Sequence, residues 1–405
     1  MDQENYSTAY KTMVGTLCLC VVAIIVTAGL WPFHAPSNQV KWLESPNGLA
    51  FGRHGSVVSF NGFRGGDLAD ASGTLEILLE PSSSESSGTI LSFDESAHPG
   101  EPFSLHQEGD ALGVRRNNVD PQGVARTALF YVHGVFQEKK PVFVTIALGS
   151  REVLVYVNGA LKIVFPHSVA WNDLTGRLVL ANSPTANNSW SGKIFGLAIY
   201  RRQLTHLQIA TDYASWIQKQ SLIPSKEVSA TALYLFDEHG GAVVHNGLDP
   251  AEDLTIPERY FVLHPGVMRT PWREYQPTWS YWQDVGVNIA GFVPLGFCVF
   301  AYLSLTRAIK YPGATTVVIG LFASLIIELL QALLPTRSSG LTDLITNTLG
   351  TAIGVMIFRC FIVETVLAKS DGAIGKTNFR WMISPVRNNL ATEPMKPTGT
   401  QRTSG

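Results

Sequence analysis

Four stretches of this chain are apolar over enough residues to cross a lipid bilayer. They are residues 12–31, 285–305, 314–334 and 341–363. A helix rises 1.5 Å per residue, so about 20 residues span the ~30 Å hydrocarbon core. Inside that core every backbone N–H and C=O needs a partner from the chain, which a helix provides. The sequence therefore predicts an α-helical bundle of four transmembrane spans.

The first apolar run has two interpretations, a retained anchor and a cleaved signal peptide. It ends in Trp31, an interfacial aromatic residue, and Pro32, which stops a helix. No small-x-small cleavage site is apparent, because Ala35 is followed by Pro36. We predict a retained transmembrane helix over residues 12–31, preceded by a short tail of residues 1–11.

Basic residues set the predicted orientation. Three basic segments fall on the same side of the membrane when four spans are counted: Lys11, the short loop with Arg307 and Lys310, and the tail of residues 366–405. The positive-inside rule places all three in the cytoplasm, together with both termini. Residues 31–283 are then outside, and the polar tail is predicted to be disordered.

Polar residues recur within or beside the last three apolar runs, where a charged group costs at least about 2.5 kcal/mol. Three pairs lie one helical turn apart, and one cation lies in the loop between the last two runs. We expect them to converge just under the outer surface and to bind a ligand. These residues are Asp284, Asn288, Glu328, Gln331, Arg337, Asp343 and Asn347.

Small and helix-breaking residues accompany this polar set. Gly350 and Gly354 are four residues apart and allow close helix packing. Pro294 removes one hydrogen bond from its helix and is expected to interrupt the ladder near Asn288. Gly296 and Pro335 complete the set of predicted structural positions.

Short alternating runs separated by turn residues fill residues 40–218 and predict an antiparallel β-sandwich. Asn158-Gly159 is a two-residue hairpin signal. A closing amphipathic helix is predicted over Leu204–Gln218, with an apolar stripe of Leu207, Ala210, Ala214 and Ile217. Residues 219–283 are predicted to be an extension with one further hairpin, Ala232–Asp237 with Val243–His245, and an aromatic juxtamembrane segment.

Glu76 and Glu80 share one face of a predicted strand, with Leu78 between them. Two carboxylates on such a strand are the arrangement that glycoside hydrolysis uses. The middle position is Leu rather than an acid, so we interpret the pair as a solvated strand face and predict no hydrolase.

The bulk composition excludes several classes of protein. A formal net charge of −2 over 405 residues gives no electrostatic basis for nucleic-acid binding. Each of the four cysteines lies in or at the end of an apolar run, and none is near a His at ligand spacing. We therefore expect neither a disulfide framework nor a zinc site.

The strand region resembles a laminin-G-like, concanavalin-type jelly roll over about residues 45–215. The resemblance rests on Gly73–Pro81, on Val155-Tyr-Val-Asn-Gly159 and on Trp190–Thr205, where a W-x-G strand precedes a Leu-Thr helix start. It implies binding of a glycan or an envelope protein, in some members through calcium.

Residues 284–365 resemble the VanZ-like membrane family. The motifs are an Asp–Asn pair, Phe292-x-Pro294-x-Gly296, Glu328-x-x-Gln331, Pro335-x-Arg337 and Asp343-x-x-x-Asn347-x-x-Gly350. The resemblance implies a multi-pass protein of the bacterial cytoplasmic membrane, and the family name implies a role in glycopeptide-antibiotic resistance. If residues 13–33 supply the first helix of that family, the sandwich is an insertion after it.

Three hypotheses follow for the polar set. The first is an outward-facing site for a lipid headgroup, a lipid-linked glycan precursor or a glycopeptide, with the sandwich holding a glycan or protein nearby. The second is purely structural, with polar side chains joining the helices. The third is an enzyme acting on lipid or glycan phosphates through a divalent cation held by Asp284, Glu328 and Asp343.

Overall fold

The structure is a computed structural model, in which the described residues divide into two compact units. One unit comprises the residues up to Ile25, Pro277–Ser324 and the residues from Ile345 onward, and the other comprises Val26–Gln276 and Leu325–Leu344. The described ranges are 2–63, 72–94, 103–119, 125–149, 152–166, 174–184, 188–219, 230–264, 266–275, 277–306, 309–337 and 339–371.

Among the described residues, sixteen antiparallel strands form two sheets in the second unit. In chain order the strands are β1 Val40–Trp42, β2 Leu49–Phe51, β3 Val57–Ser59, β4 Gly73–Pro81, β5 Ser87–Asp94, β6 Phe103–Glu108, β7 Ala111–Val119, β8 Ala125–Val132, β9 Val142–Leu148, β10 Val153–Val157, β11 Ala160–Phe165, β12 Arg177–Leu180, β13 Gly192–Tyr200, β14 Ala230–Tyr234, β15 Val243–Val244 and β16 Leu254–Thr255. The first sheet has the order β1-β2-β13-β4-β9-β10-β11, with β14 paired to β13, and the second has the order β15-β16-β3-β12-β5-β6-β7-β8.

The main core lies between the two sheets, and alternation along β4 shows why. Leu75, Ile77 and Leu79 point into the core with no exposed surface. The opposite face of β4 carries Glu76 and Leu78, which are also buried. A strand covered on both faces belongs to a three-layer arrangement, and the third layer here is a helix.

That third layer is α2 (His206–Lys219), and the predicted packing face of this helix is wrong. Leu207 and Ile217, from the predicted apolar stripe, are 76% and 54% exposed. The helix instead buries Ile209, Asp212 and Trp216 against the first sheet. The sequence-based stripe avoided the acidic Asp212, which finds a partner only in the folded structure.

The strand predictions have two outcomes. The Asn158-Gly159 hairpin is confirmed, because β10 pairs with β11 and both turn residues have positive φ angles of 53° and 75°. The predicted hairpin within residues 232–245 is wrong. β14 pairs with β13 in the first sheet, whereas β15 pairs with β16 in the second. The sheets thus take in three strands from the predicted extension 219–283.

In the described part of the chain, four helices are long and apolar enough to cross a membrane. Their candidate spans are Thr8–Leu30, Trp279–Thr306, Pro312–Gln331 and Leu341–Phe361. They lie within α1 (Asp2–Leu30), α4 (Trp279–Thr306), α5 (Pro312–Gln331) and α6 (Leu341–Asp371), and α3 (Pro271–Glu274) is a single turn. α4 continues through Pro294, where we had expected an interruption. Arg307 and residues 372–405, on which part of the orientation prediction rests, lie outside the described residues.

Glycines bring the helices of the first unit into close contact. A Cβ atom built on Gly350 would overlap the carbonyl oxygen of Ile289, and one on Gly354 would overlap that of Val293. A Cβ on Gly296 would overlap the carbonyl oxygen of Thr351. The backbones of α4 and α6 therefore touch at three points that only glycine permits.

Candidate functional site

Glu328 holds the loop between α5 and α6. Its side chain is 1% exposed, and its carboxylate accepts the N–H of Gly340 at 2.9 Å. Ser339, which is fully buried, also bonds to this carboxylate. Gly340 immediately precedes α6, so Glu328 satisfies one of the N–H groups that a helix start leaves without a partner.

Gln331 and Arg337 bind the exit of α1. The Gln331 Nε2 donates to the carbonyl of Gly29 at 2.8 Å, and the Arg337 Nη2 donates to that of Trp31 at 2.5 Å. The last carbonyls of a helix lack intrahelical partners, so these side chains complete the end of α1. Arg337 is nevertheless exposed.

Glu274 binds the start of α6 beside these residues, and no sequence pattern predicted its role. Its carboxylate accepts the Thr342 hydroxyl at 2.5 Å and the Thr342 N–H at 3.2 Å. It approaches so closely because residue 340 is glycine, since a Cβ there would overlap a carboxylate oxygen of Glu274. Glu274 lies in the aromatic segment outside the apolar runs, and no motif marks it.

The predicted polar set is therefore divided between the two units. Glu328, Gln331, Arg337 and Asp343 lie in one unit, and we call these four residues the motif cluster. Asp343 and Glu274 lie close enough to Glu328 for their charges to interact with it. Asn347, in the other unit, is 4% exposed and donates to Ser324 Oγ at 3.0 Å. Also in that unit, Asp284 is exposed and Asn288 is half-buried on α4.

A second polar cluster lies on the outer face of the second sheet, and no sequence motif marks it. Asp94 ends β5 with a fully buried side chain, and Arg177 begins the adjacent β12. The Arg177 Nη2 lies 2.6 Å from Asp94 Oδ2. His264 Nε2 lies 3.0 Å from the same oxygen and 2.6 Å from Arg177 Nη2. We call these three residues the Arg177 cluster.

The Arg177 cluster presents donors to solvent while its carboxylate stays covered. The side chains of Arg177 and His264 are 21% and 40% exposed, whereas that of Asp94 is not exposed. Phe60 directly follows β3, the strand beside β12, and is 58% exposed. Its ring stacks on that of Phe261 at an angle of 3°. A guanidinium, an imidazole and a flat aromatic surface thus belong to neighbouring segments.

Glu76 is buried, so the predicted solvated strand face is wrong. Thr145 Oγ1 donates to Glu76 Oε1 at 3.3 Å, and the Tyr200 hydroxyl lies 3.2 Å from Oε2. Tyr200 also bonds to Asp212 of α2. One phenol proton cannot be donated to both carboxylates at once, so hydrogen bonds from Tyr200 to both acids require one acid to be protonated and to donate to the phenol oxygen. Glu80, at the end of the strand, pairs with Lys193 at 2.8 Å.

Burial keeps these acids protonated to unusually high pH. Desolvation, and then the charge of Asp212, raises the pKa of Glu76 well above its ordinary range. Desolvation raises the pKa of Asp212 to about 6, although the Tyr200 hydrogen bond opposes the shift. Glu76 has no exposed surface and Asp212 is 3% exposed, so the two acids form a proton-linked contact between α2 and the first sheet rather than a solvent-facing site.

The sandwich should accordingly lose stability as the pH rises. The folded-state pKa values of Glu76 and Asp212 both lie above the unfolded ones. At a pH between the unfolded and folded pKa of an acid, the folded chain holds a proton that the unfolded chain has released, so the free energy of unfolding falls as the pH rises. The free energy of unfolding should decline from about pH 4 through about pH 6 and beyond, by up to about 1.4 kcal/mol per pH unit for each proton. Glu76→Gln should flatten this decline in thermal unfolding scans at pH 5–8, and the exposed Glu138→Gln should not. Equal pH profiles for both variants would contradict the assignment.

A metal site finds no support in the part of the chain that the structure describes. Within those ranges no three His, Cys, Asp or Glu side chains are grouped to hold a metal ion. Asp284, Glu328 and Asp343, the acids of the enzyme hypothesis, therefore form no such group among these residues.

Two family models divide most of the chain between them. Residues 213–363 match the model of the VanZ/LLP1 family. Residues 54–210 match the concanavalin A-like lectin/glucanases superfamily, so both resemblances read from the sequence are confirmed. The VanZ match begins inside α2, well before the start at residue 284 that the motifs suggested. It therefore includes Glu274 and His264 as well as the motif cluster.

The similar solved structures each match less than half of this chain. The receptor binding domain of botulinum neurotoxin D is 16% identical over 45% of this chain and 47% of that one, with a TM-score of 0.34. The SAP-like pentraxin from Limulus polyphemus is 15% identical over 48% and 89%, with a TM-score of 0.32. The Ruminococcus gnavus IT-sialidase CBM40 bound to α2,3 sialyllactose is 14% identical over 41% and 95%, with a TM-score of 0.32.

The chain spans less than half the length of the neurotoxin domains it matches. No curated protein matches it. Similarity at these TM-scores decides nothing about function, which has to be argued from the residues themselves.

Proposed function

We propose that this chain is an integral membrane protein of the bacterial cell envelope that binds a glycan on its sandwich. The proposed location is the cytoplasmic membrane, with the sandwich outside and both termini inside. The observation that carries the proposal is the Arg177 cluster beside Phe60. On the first sheet, α2 covers the buried acid Glu76, whereas on the second sheet the Arg177 cluster offers exposed polar groups.

The chemistry of the cluster suits a sugar. Hydroxyl groups both donate and accept, and Arg177 supplies donors while His264 supplies either role according to its tautomer. Asp94 fixes the Arg177 guanidinium by two contacts, at 2.6 and 3.1 Å, so its remaining N–H groups are oriented before a ligand arrives. The exposed ring of Phe60 provides an apolar surface for the C–H face of a sugar.

A glycan array tests this proposal directly. The purified full chain in detergent should bind a restricted set of glycans, because the cluster has a fixed arrangement of donors and acceptors. Binding to no glycan on an array that includes envelope-derived and sialylated sugars would overturn the proposal.

The motif cluster is proposed to act at the same membrane surface on a lipid headgroup, a lipid-linked precursor or a glycopeptide. Arg337 supports this role, since it is exposed and only its Nη2 is used by Trp31. The remaining guanidinium donors suit a phosphate or a carboxylate. Trp31, whose carbonyl Arg337 binds at the exit of α1, has an exposed ring that suits the interfacial region of a bilayer.

A structural role is the second candidate for the motif cluster, and a specific observation favours it. Glu328, Gln331 and Arg337 each bind a backbone group at a helix start or exit. In a membrane, unpaired backbone groups are costly, which is sufficient reason for such residues.

A paired substitution separates the two candidates. Under the binding hypothesis, Arg337→Ala should keep the melting temperature within a few degrees and lose a co-purifying lipid or precursor seen by mass spectrometry. Glu328→Gln should weaken the contact to Gly340 and cost about 1–3 kcal/mol, because a buried partner is lost. Arg259→Ala is the matched control, since Arg259 also donates to a backbone carbonyl, that of Ala35 at 3.0 Å. If Arg337→Ala melts early and the parent carries no ligand, the cluster is structural.

A further inference from the structure

One segment of the chain joins the Arg177 cluster to the residues between α5 and the start of α6. We call residues 256–264 and 266–275 the arm. His264, in the middle of the arm, belongs to the Arg177 cluster through its imidazole. Its backbone N–H donates to the carbonyl of Pro184 at 2.7 Å. Glu274, at its end, binds Thr342. Ten positions along the chain therefore separate a contact on the sandwich face from a contact on the α5–α6 loop.

The arm is held to the loop by backbone as well as side-chain bonds. The backbone N–H of Arg269 donates to the carbonyl of Ser339 at 3.0 Å, and the Arg269 carbonyl accepts the N–H of Leu341 at 2.8 Å. These two bonds form a parallel bridge between Arg269 and Gly340. The Met268 N–H lies 3.3 Å from Ser339 Oγ. With Glu274 on Thr342, four consecutive residues at the end of the loop and the start of α6, 339–342, are fixed by the arm or by Glu328.

The arm is also fixed at its start, beside the exit of α1. Tyr260, which is fully buried, donates its N–H to Pro36, and the carbonyl of Glu258 accepts the N–H of Asn38. Three positions separate His264 from Met268, the first residue of the arm that is bonded to Ser339, so a displacement of the imidazole has only a short length of chain to absorb it. Displacement should instead reach the bonded loop.

We propose that the arm couples the Arg177 cluster to the α5–α6 loop, with Glu274 as the positioning residue at its far end. The use of this coupling rests on the proposed function, since a glycan that engages His264 would change how the arm holds the loop carrying Arg337. The coupling is reciprocal, so releasing Glu274 must also loosen the contacts of His264.

Amide hydrogen exchange of the purified full chain tests the coupling without any glycan. In His264→Ala, exchange of the Leu341 and Thr342 amides should rise about fivefold, the factor that one net hydrogen bond gives. Glu274→Ala should raise exchange at the same amides and also at the His264 amide. Glu274→Gln, which keeps an acceptor for Thr342, should restore most of the protection.

The control is His245→Ala, which removes another imidazole bound to a carboxylate, that of Glu238 at 3.2 Å, outside the arm. Equal exchange over residues 339–342 in His264→Ala and His245→Ala would overturn the coupling. So would faster exchange of the loop alone in Glu274→Ala, which indicates a local structural role. If His264→Ala fails to fold, His264→Phe replaces it, because it keeps a ring of similar size but offers no donor to Asp94. A negative glycan array would overturn the proposed function and leave this result unaffected.

Discussion

Trp216→Ala should lower the free energy of unfolding of the sandwich by about 3–5 kcal/mol, as expected for a buried tryptophan. The Trp216 side chain is 1% exposed and lies over Gly196, where even a Cβ atom would overlap the indole ring. It also packs on Phe143, with ring centroids 5.7 Å apart. Its loss leaves a cavity between α2 and the first sheet that neither rigid element can close.

The control for this prediction is Leu207→Ala on the same helix. Leu207 is 76% exposed, so its truncation should change the free energy of unfolding by less than about 0.5 kcal/mol. The comparison is made by urea unfolding of both variants, followed by tryptophan fluorescence and circular dichroism. A larger loss for Leu207 than for Trp216 would restore the packing face predicted from the sequence and contradict the observed one.

Gly350→Leu should disrupt the packing of α4 against α6. A Cβ at this position already overlaps the carbonyl oxygen of Ile289, and backbone cannot move aside as a side chain can. Overpacking costs about 1–3 kcal/mol for single methylenes, and a leucine adds several atoms at a point of backbone contact. We expect a loss of the folded, monodisperse protein in detergent, measured by size-exclusion chromatography and thermal scanning.

Two glycines of α4 provide matched controls for that substitution. A Cβ on Gly286 or Gly291 meets no atom within 4 Å, so Leu at either position should be tolerated. The same chromatography and thermal scans apply. Tolerance of Leu at position 350 would mean that α4 and α6 do not approach as described.

Local sequence chemistry predicted much of the fold because it acts over few residues. The hairpin at Asn158-Gly159 follows from two residues that accept positive φ angles, and the four spans follow from apolar length. The packing face of α2 did not follow, because Asp212 is acceptable there only beside Tyr200, which is distant in sequence.

The polar clusters were predictable to different degrees, for a related reason. Glu328, Gln331 and Arg337 stood out as polar residues at the border of apolar runs, yet their partners are backbone groups that no side-chain pattern reveals. Glu274 and His264 lie in segments where polar residues are ordinary. Their roles arise from pairing between segments far apart in the chain.

The most direct test of the glycan-binding claim is a titration of the best glycan from the array against Arg177→Gln. Loss of a charge-assisted hydrogen bond to the sugar should weaken binding about 10–100-fold. Lys193→Gln is the control, because Lys193 is also paired with an acid, Glu80, but lies on the first sheet. An unchanged dissociation constant for Arg177→Gln in a folded protein would contradict the account, whereas a selective loss relative to Lys193→Gln would place the site at the Arg177 cluster.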